Sequence, residues 1–337
     1  MSQNYWRPAA YRLLVCIGLL LGGVHHVWAA PAQSMALGRE QAALVFQILA
    51  SELALAQGDV GIAAATYLSI ARQTQDPAAA RRATELAIEA RLPQRAEEAA
   101  AIWLRSAPND REAQSTLDLL QLITGENEKL SRSLIARRDQ AAQQQQTEAF
   151  YDYVAGLAGR SLNKVDGLKL FQNVSRPDQD KPSVIYTLAM LHERAGQPQE
   201  MEKLLRELIK REPKHAHAHN ALGYHLADRN ERLEEAKALI AHALALAPND
   251  AHIIDSMGWV YFRLGNLKLA EQYLRQAQQL QPDAEISTHL GEVLWASGQQ
   301  AEAESFFRSA FAVDPRNDVL ANTLKRLGIS LQQVHPR

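Results

Sequence analysis

A run of histidines is the densest set of side chains that could do chemistry. His215, His217 and His219 alternate with alanines, and more histidines follow. Neutral imidazoles bind zinc and copper, so the run is a candidate metal site. The spacing argues against it, because His217 and His219 point away from each other on a helix, and neither a cysteine nor an HExxH motif accompanies them. We therefore predict structural histidines, with His219 on a packing face.

Acidic residues offer a second possible chemistry. Asp255 is the most interesting, because it falls among residues that are predicted below to line a groove. Neighbouring carboxylates such as Glu234 and Glu235 are more typical of a solvated helix face. The sequence has no glycine-rich phosphate loop, no GxSxG and no HExxH. We predict no catalytic residue, no cofactor and no metal, and the alternative is a catalytic or metal-handling function around His217, His219 and Asp255.

Three segments near the carboxyl terminus repeat one sparse pattern that must position these side chains. Small or apolar residues recur at relative positions 7, 8, 11, 20, 24 and 27, and proline at 32, in residues 216–250, 251–283 and 284–317, with one residue inserted in the first turn. Position 4, on the same face, holds His219, Ile254 and Ser287. Small residues allow two helices to cross closely, and proline ends the second helix. The predicted packing residues are Gly223, Ala236, Pro248, Gly258, Ala270, Pro282, Gly291, Ala303 and Pro315.

A period near 34 with small residues at positions 8, 20 and 27 resembles the tetratricopeptide repeat. The resemblance implies an all-α, right-handed superhelix of helix-turn-helix repeats, an α-solenoid. A fourth repeat is readable upstream and weaker copies precede it. The expected organisation is degenerate repeats over 31–147, a helical connector or degenerate repeat over 148–181, repeats over 182–215, 216–250, 251–283 and 284–317, and a capping helix with a tail over 318–337.

The amino-terminal half of the sequence predicts helices without a clear repeat pattern. Residues 117–138 and 151–174 each read as an amphipathic helix. The run 141–147 includes four consecutive glutamines and reads as a polar helix surface, with a flexible joint as the alternative. Alternating strand patterns are absent from the sequence, so we expect essentially no sheet.

The register also predicts a binding surface. Positions 2, 5, 9, 12 and 13 of each first helix lie opposite its contact with the second helix. Aromatic and hydrogen-bonding groups there suit an extended or helical peptide. Alternatively, Trp259, Phe262 and Trp295 are partly buried and only fill space. We call this set the groove face: Tyr186, Met190, Arg194, His217, Asn220, Tyr224, Asp228, His252, Asp255, Trp259, Phe262, Arg263, Thr288, Glu292 and Trp295.

Residues 1–30 read as a secretory signal peptide. Arg7 and Arg12 precede a short apolar core, and small residues suit cleavage after Ala29 or Ala30. An uncleaved anchor over 13–30 is the alternative, with peripheral or anchored membrane association. Cys16, the one cysteine, lacks the sequence context of a lipidation site. We expect export to the periplasm of a Gram-negative bacterium, with no membrane insertion of the mature chain.

The composition and net charge of the chain indicate what kind of partner it binds. Hydrophobic residues make up 47% of the chain and charged residues 22%, which is typical of a globular protein. The formal net charge is −2, and no basic stripe stands out, so nucleic acid is not an expected partner. Protein partners are therefore expected.

Longer motifs carry a narrower resemblance. The runs 220–229 (NALGYHLADR), 254–260 (IDSMGWV) and 289–295 (HLGEVLW) resemble the carboxyl-terminal repeats of a proteobacterial family of envelope tetratricopeptide proteins. Its members include outer-membrane lipoprotein adaptors that present cell-wall hydrolases to a periplasmic carboxy-terminal processing protease. The resemblance implies a non-enzymatic adaptor or scaffold. An assembly factor for outer-membrane protein, pilus or polysaccharide secretion machinery is the alternative.

Overall fold

The computed structural model describes the backbone of residues 31–330 and the side chains of residues 41–330. Within that range the regular structure consists of seventeen α-helices and one 3-10 turn at Arg176–Asp178, with no strand. The all-α prediction is therefore confirmed. The predicted signal peptide and residues 331–337 lie outside the described residues. None of the described helices is both long enough and apolar enough to span a membrane.

The chain divides into two units, with the boundary after Leu120. Alanines fill much of the first unit: Ala63, Ala80, Ala83 and Ala96 are completely buried, so its helices pack closely. Asp76 begins α3, because its carboxylate accepts hydrogen bonds from two backbone amides of the first turn. The helices up to the boundary are α1 (Pro31–Ala56), α2 (Val60–Thr74), α3 (Pro77–Glu89), α4 (Pro93–Ser106) and α5 (Arg111–Thr124), which crosses it.

The second unit continues the helical hairpins. From Pro182 onward each pair of helices has a first helix of 13 residues and a second helix of 14. Its helices are α6 (Asn127–Gln143), α7 (Thr147–Gly159), α8 (Lys164–Ser175), α9 (Pro182–Arg194), α10 (Pro198–Arg211), α11 (Ala216–Asp228), α12 (Leu233–Leu246), α13 (Ala251–Arg263), α14 (Leu267–Leu280), α15 (Ala284–Ala296), α16 (Gln300–Val313) and α17 (Asp318–Leu327).

Three segments differ from the sequence expectations, because the chain turns inside them. The expected helix over 117–138 is broken at Gly125, whose φ of +82° favours glycine. The expected helix over 151–174 is broken between α7 and α8, where the Asn163 side chain caps α8. The glutamine run is not a helix surface, since α6 ends at Gln143 and Gln145 adopts a φ of +58°. The Gln146 amide then donates to the Ala141 carbonyl, which makes this segment a hydrogen-bonded turn.

Glycines at position 8 lie where the two helices of a repeat cross. A Cβ atom on Gly223 would lie 2.6 Å from Ile240 Cγ1, and one on Gly258 would lie 2.6 Å from Leu274 Cγ. At Gly291 the added atom would lie 2.6 Å from a phenylalanine ring carbon. Each distance is shorter than van der Waals contact, so a larger residue would push the helices apart. The alanines at position 20, which are Ala236, Ala270 and Ala303, are completely buried.

The last helix, α17, closes the second unit. Asn317 caps its first turn through a hydrogen bond from the Leu320 amide, and Gly328 ends it at a φ of +70°. Leu320 and Leu324 are buried in one cluster with Phe307 of α16. The helix therefore occupies the place that a further repeat would take, as the end of a solenoid requires.

Candidate partner-binding face

The groove face contains side chains of three degrees of exposure. Asp255, Trp259, Thr288 and Glu292 are buried. Arg194, His217, Asp228 and His252 are exposed. Tyr186, Met190, Asn220, Tyr224, Phe262, Arg263 and Trp295 are intermediate. The four buried residues lie on α13 and α15, so the middle and much of the carboxyl-terminal end of the face are covered, and the remaining side chains are partly or fully exposed.

A buried ion pair lies at the centre of this face. His289 Nδ1 is 2.9 Å and 3.0 Å from the two carboxylate oxygens of Asp255, and both side chains are almost fully buried. Burial alone would lower the pKa of His289, but the adjacent Asp255 carboxylate outweighs it and raises that pKa to about 9. His289 is therefore an imidazolium at neutral pH, and it donates to Asp255.

Aromatic rings cover that ion pair. Trp259 stacks on His289 with ring centroids 4.3 Å apart and an angle of 23° between the planes. The Tyr224 hydroxyl donates to Glu285 at 3.0 Å and lies 3.4 Å from His289 Nε2. Burial, followed by the Glu285 charge, raises the pKa of Tyr224, so this hydroxyl stays protonated. Tyr224 thus reaches from α11 to α15 across α13 and fills the middle of the face.

This packing leaves Asp255 and Trp259 buried, so neither side chain is open to a ligand in this structure. Asp255 is paired with His289, and the indole ring of Trp259 lies between the rings of Phe262 and His289. At the carboxyl end, Arg326 of α17 donates to both Glu292 oxygens at 2.5 Å and 2.7 Å. The Thr288 hydroxyl donates to the Ala284 carbonyl of its own helix. The capping helix is the physical reason why this end of the face is covered.

Sequence reasoning missed the partners in these pairs. His289 and Arg326 were not assigned to the face, although each is 34 residues from its acidic partner, Asp255 and Glu292 respectively. That separation is close to one repeat period, so it places the two side chains at neighbouring positions of successive helices. A search of the sequence for opposite charges one repeat period apart could have identified both pairs.

Three polar atoms of the groove face are buried and have no hydrogen-bond partner in the described part of the chain. They are Asn220 Oδ1, Trp259 Nε1 and Arg263 Nε. The Arg263 guanidinium lies 5.8 Å from the centre of the Trp259 ring, so the two unpaired N–H donors are on neighbouring groups. Unpaired buried donors are uncommon in folded proteins, and each needs an explanation.

The histidine run has structural partners. His215 Nδ1 accepts from the Ala218 amide and caps α11. His219 Nε2 and His242 Nε2 lie 2.9 Å and 3.1 Å from the same carbonyl oxygen, that of Pro213. Burial lowers the pKa of His219, which favours the neutral ring. Among the described residues, no group of three or more histidine, cysteine, aspartate or glutamate side chains is placed to hold a metal ion.

Comparison with known proteins assigns the carboxyl-terminal part of the chain. The family model described as a tetratricopeptide repeat matches residues 186–251 and 256–317. These residues are tetratricopeptide repeats. Proteins built from such repeats generally mediate protein–protein interaction.

Two relatives share parts of this sequence. A TPR repeat-containing protein of Pseudomonas aeruginosa is 45% identical over 145 residues, which are 43% of this chain and 25% of that protein. Human tetratricopeptide repeat protein 7A is 38% identical over 96 residues, 28% of this chain and 11% of that protein. The chain therefore matches a quarter or less of the length of either relative.

A solved structure supports the fold assignment. The tetratricopeptide repeat protein from Parabacteroides merdae ATCC 43184 aligns with a TM-score of 0.50 at 14% identity, covering 72% of this chain and 94% of that chain. Identity this low shows the fold alone. Together with the helix pairs, it confirms the predicted solenoid of helix-turn-helix repeats.

Proposed function

We propose that this chain is a non-enzymatic adaptor that captures an extended segment of a partner protein on its groove face. The captured segment runs along the open margins of that face, where aromatic and polar side chains remain partly exposed. The buried ion pair and its aromatic cover form the base of this surface. Because the Asp255 carboxylate and the His289 imidazole are buried and paired with each other, this face suits binding and not catalysis.

The unpaired N–H of Trp259 is the observation that carries this proposal. A buried donor without an acceptor destabilises a protein by roughly 1–3 kcal/mol, so the free protein is left with an unmet hydrogen bond. A peptide main chain offers a carbonyl acceptor for Trp259 and Arg263 and an amide donor for Asn220. Binding would therefore satisfy the three atoms together, after small shifts of the covering rings.

The sequence supports a cellular location and a biological process for this chain. The signal-like segment at 1–30 supports export to the periplasm, and the runs at 220–229, 254–260 and 289–295 support a role among envelope proteins. We place the chain in cell-wall turnover, where it would present cell-wall hydrolases to a carboxy-terminal processing protease. Loosely attached or anchored forms at the membrane fit the same role.

Crosslinking of the protein in its native periplasm, followed by mass spectrometry, tests this function. The expected products are a processing protease and cell-wall hydrolases. Components of a secretion or pilus machine would instead support the assembly-factor alternative. Recovery of no protein partner would contradict the adaptor proposal.

Two conservative tryptophan substitutions make the test specific to the groove face. Trp259→Phe keeps an aromatic ring but removes the unpaired N–H, so partner capture should fall about tenfold while the free energy of unfolding is unchanged or higher. Trp103→Phe is the matched control, because Trp103 Nε1 already donates to Asp110 at 3.0 Å. That change should lower the free energy of unfolding by about 1 kcal/mol and leave capture intact. Equal capture by wild type and Trp259→Phe would refute the groove-face site.

A further inference from the structure

Two oppositely charged side chains of the groove face, Asp228 and Arg263, form no ion pair with any described residue. They occupy position 13 of α11 and α13, the first helices of two successive repeats, which are in contact with each other. Asp228 is exposed and Arg263 is partly exposed. The two charges therefore lie one repeat period apart on the open part of the groove face, where a captured segment can reach them.

Comparable charges elsewhere in the second unit are paired between repeats. Arg206 donates to Glu235 of the next second helix, and Arg275 forms an ion pair with Glu302 in the same way. The buried His289 also finds its acid one repeat away. Asp228 and Arg263 thus differ from the general arrangement of this unit, because each keeps a charge that its neighbouring repeats do not neutralise.

The surroundings of Asp228 favour a cation from outside the chain. Asp228 is the last residue of α11, where the negative end of the helix dipole disfavours a carboxylate. The hydrogen-bonded Glu292 carboxylate, with a smaller contribution from Asp228, raises the pKa of Arg326. That guanidinium is therefore nearby, but it donates to Glu292. The adjacent Arg229 donates to Glu231, so it is also not available to Asp228.

Arg263 offers the complementary charge. Its Nε is buried and has no acceptor among the described residues, and its guanidinium lies 5.8 Å from the centre of the Trp259 ring. An aromatic ring attracts a cation but does not neutralise it. The main chain of a captured segment can satisfy the Nε donor, and a carboxylate side chain on that segment would also neutralise the guanidinium and accept from its other nitrogens.

We propose that the captured segment carries a basic and an acidic side chain three residues apart, with the base on Asp228 and the acid on Arg263. This inference rests on the proposed function and specifies the chemistry of the segment. Helices that pack side by side have axes about 8–10 Å apart. An extended segment of the polyproline II type rises about 3.1 Å per residue with about three residues per turn, so side chains three residues apart point the same way at about that distance.

Selection from a random peptide display library on the purified full chain tests this charge pattern. Wild type is expected to enrich peptides with a base and an acid three residues apart. Arg263→Glu should replace the selected acid by a base, and Asp228→Lys should replace the selected base by an acid. Arg229→Gln is the control, because Arg229 is adjacent to Asp228 but pairs with Glu231, and it should select the wild-type pattern.

One further variant separates this inference from the proposed function. Trp259→Phe should weaken the binding of every peptide that the groove face captures. Peptides that depend on Trp259 but carry no charge pair, or that keep the same charges with Arg263→Glu, overturn only the charge pattern. A library that yields no peptide dependent on Trp259 contradicts the proposed function as well. For a selected synthetic peptide, Arg263→Gln is expected to weaken binding about tenfold.

Discussion

The first helix of the first unit, α1, and the last helix of the second unit, α17, differ in the exposure of their apolar side chains. On α17, Leu320 and Leu324 are buried, and Arg326 holds the helix to Glu292. On α1, Phe46 and Leu53 are exposed. The two helices therefore differ in how much of their apolar surface the described part of the chain covers.

The buried ion pair should give the largest change when it is broken. His289→Ala leaves the Asp255 carboxylate buried without its partner, so we expect a loss of about 3–5 kcal/mol in the free energy of unfolding. His252→Ala is the matched control, because His252 lies 3.7 Å from Asp283 but is largely exposed. We expect at most about 0.5 kcal/mol there. Urea denaturation followed by circular dichroism measures both, and similar losses for the two variants would contradict the account.

Truncation of one leucine at each of the two helices tests the comparison directly. Leu324→Ala on α17 creates a cavity in a packed cluster, so the free energy of unfolding should fall by about 2–4 kcal/mol. Leu53→Ala on α1 removes an exposed side chain and should change the free energy of unfolding by less than about 1 kcal/mol. The same urea titration reports both variants. A large loss at Leu53 would show that this side of α1 is covered in solution.

The pH dependence of stability should reveal the protonated histidine inside the second unit. The pKa of His289 in the folded chain is raised from 6.5 to about 9 by Asp255. Its contribution is therefore complete below about pH 6.5 and is lost as pH rises through about 9. We expect a decrease on the order of 2–3 kcal/mol in the free energy of unfolding between pH 6.5 and pH 9.5. The double variant Asp255→Asn, His289→Gln should lose most of this dependence; if it keeps the wild-type slope, another group is responsible.

The sequence predicted the features that depend on neighbours within one repeat. Gly223 and Gly258 mark helix crossings because a Cβ atom cannot fit there, and such constraints recur at every period. The covering of the face depends on contacts between repeats, which the periodic pattern does not report. Tyr224 contacts Glu285 across an intervening helix, 61 residues away, and α17 covers Glu292. Predicting either would have required the curvature of the stack.

Two turns between helices were also not predicted from the sequence. Apolar periodicity continues on both sides of Gly125, so the glycine, which adopts a left-handed backbone there, is the one local mark of the break. The glutamine run has no apolar residues at all, and its turn depends on backbone hydrogen bonds such as that from Gln146 to Ala141. Both features are backbone events that side-chain periodicity does not encode.

The central claim is that the groove face binds a segment of a partner protein. A photo-crosslinking amino acid placed at position 220 in living cells, with mass spectrometry of the products, tests this most directly, and the same amino acid at the exposed position 162 is the control. The account predicts a product that contains a different protein from position 220 and not from position 162. No product from position 220, or the same product from both positions, would contradict it.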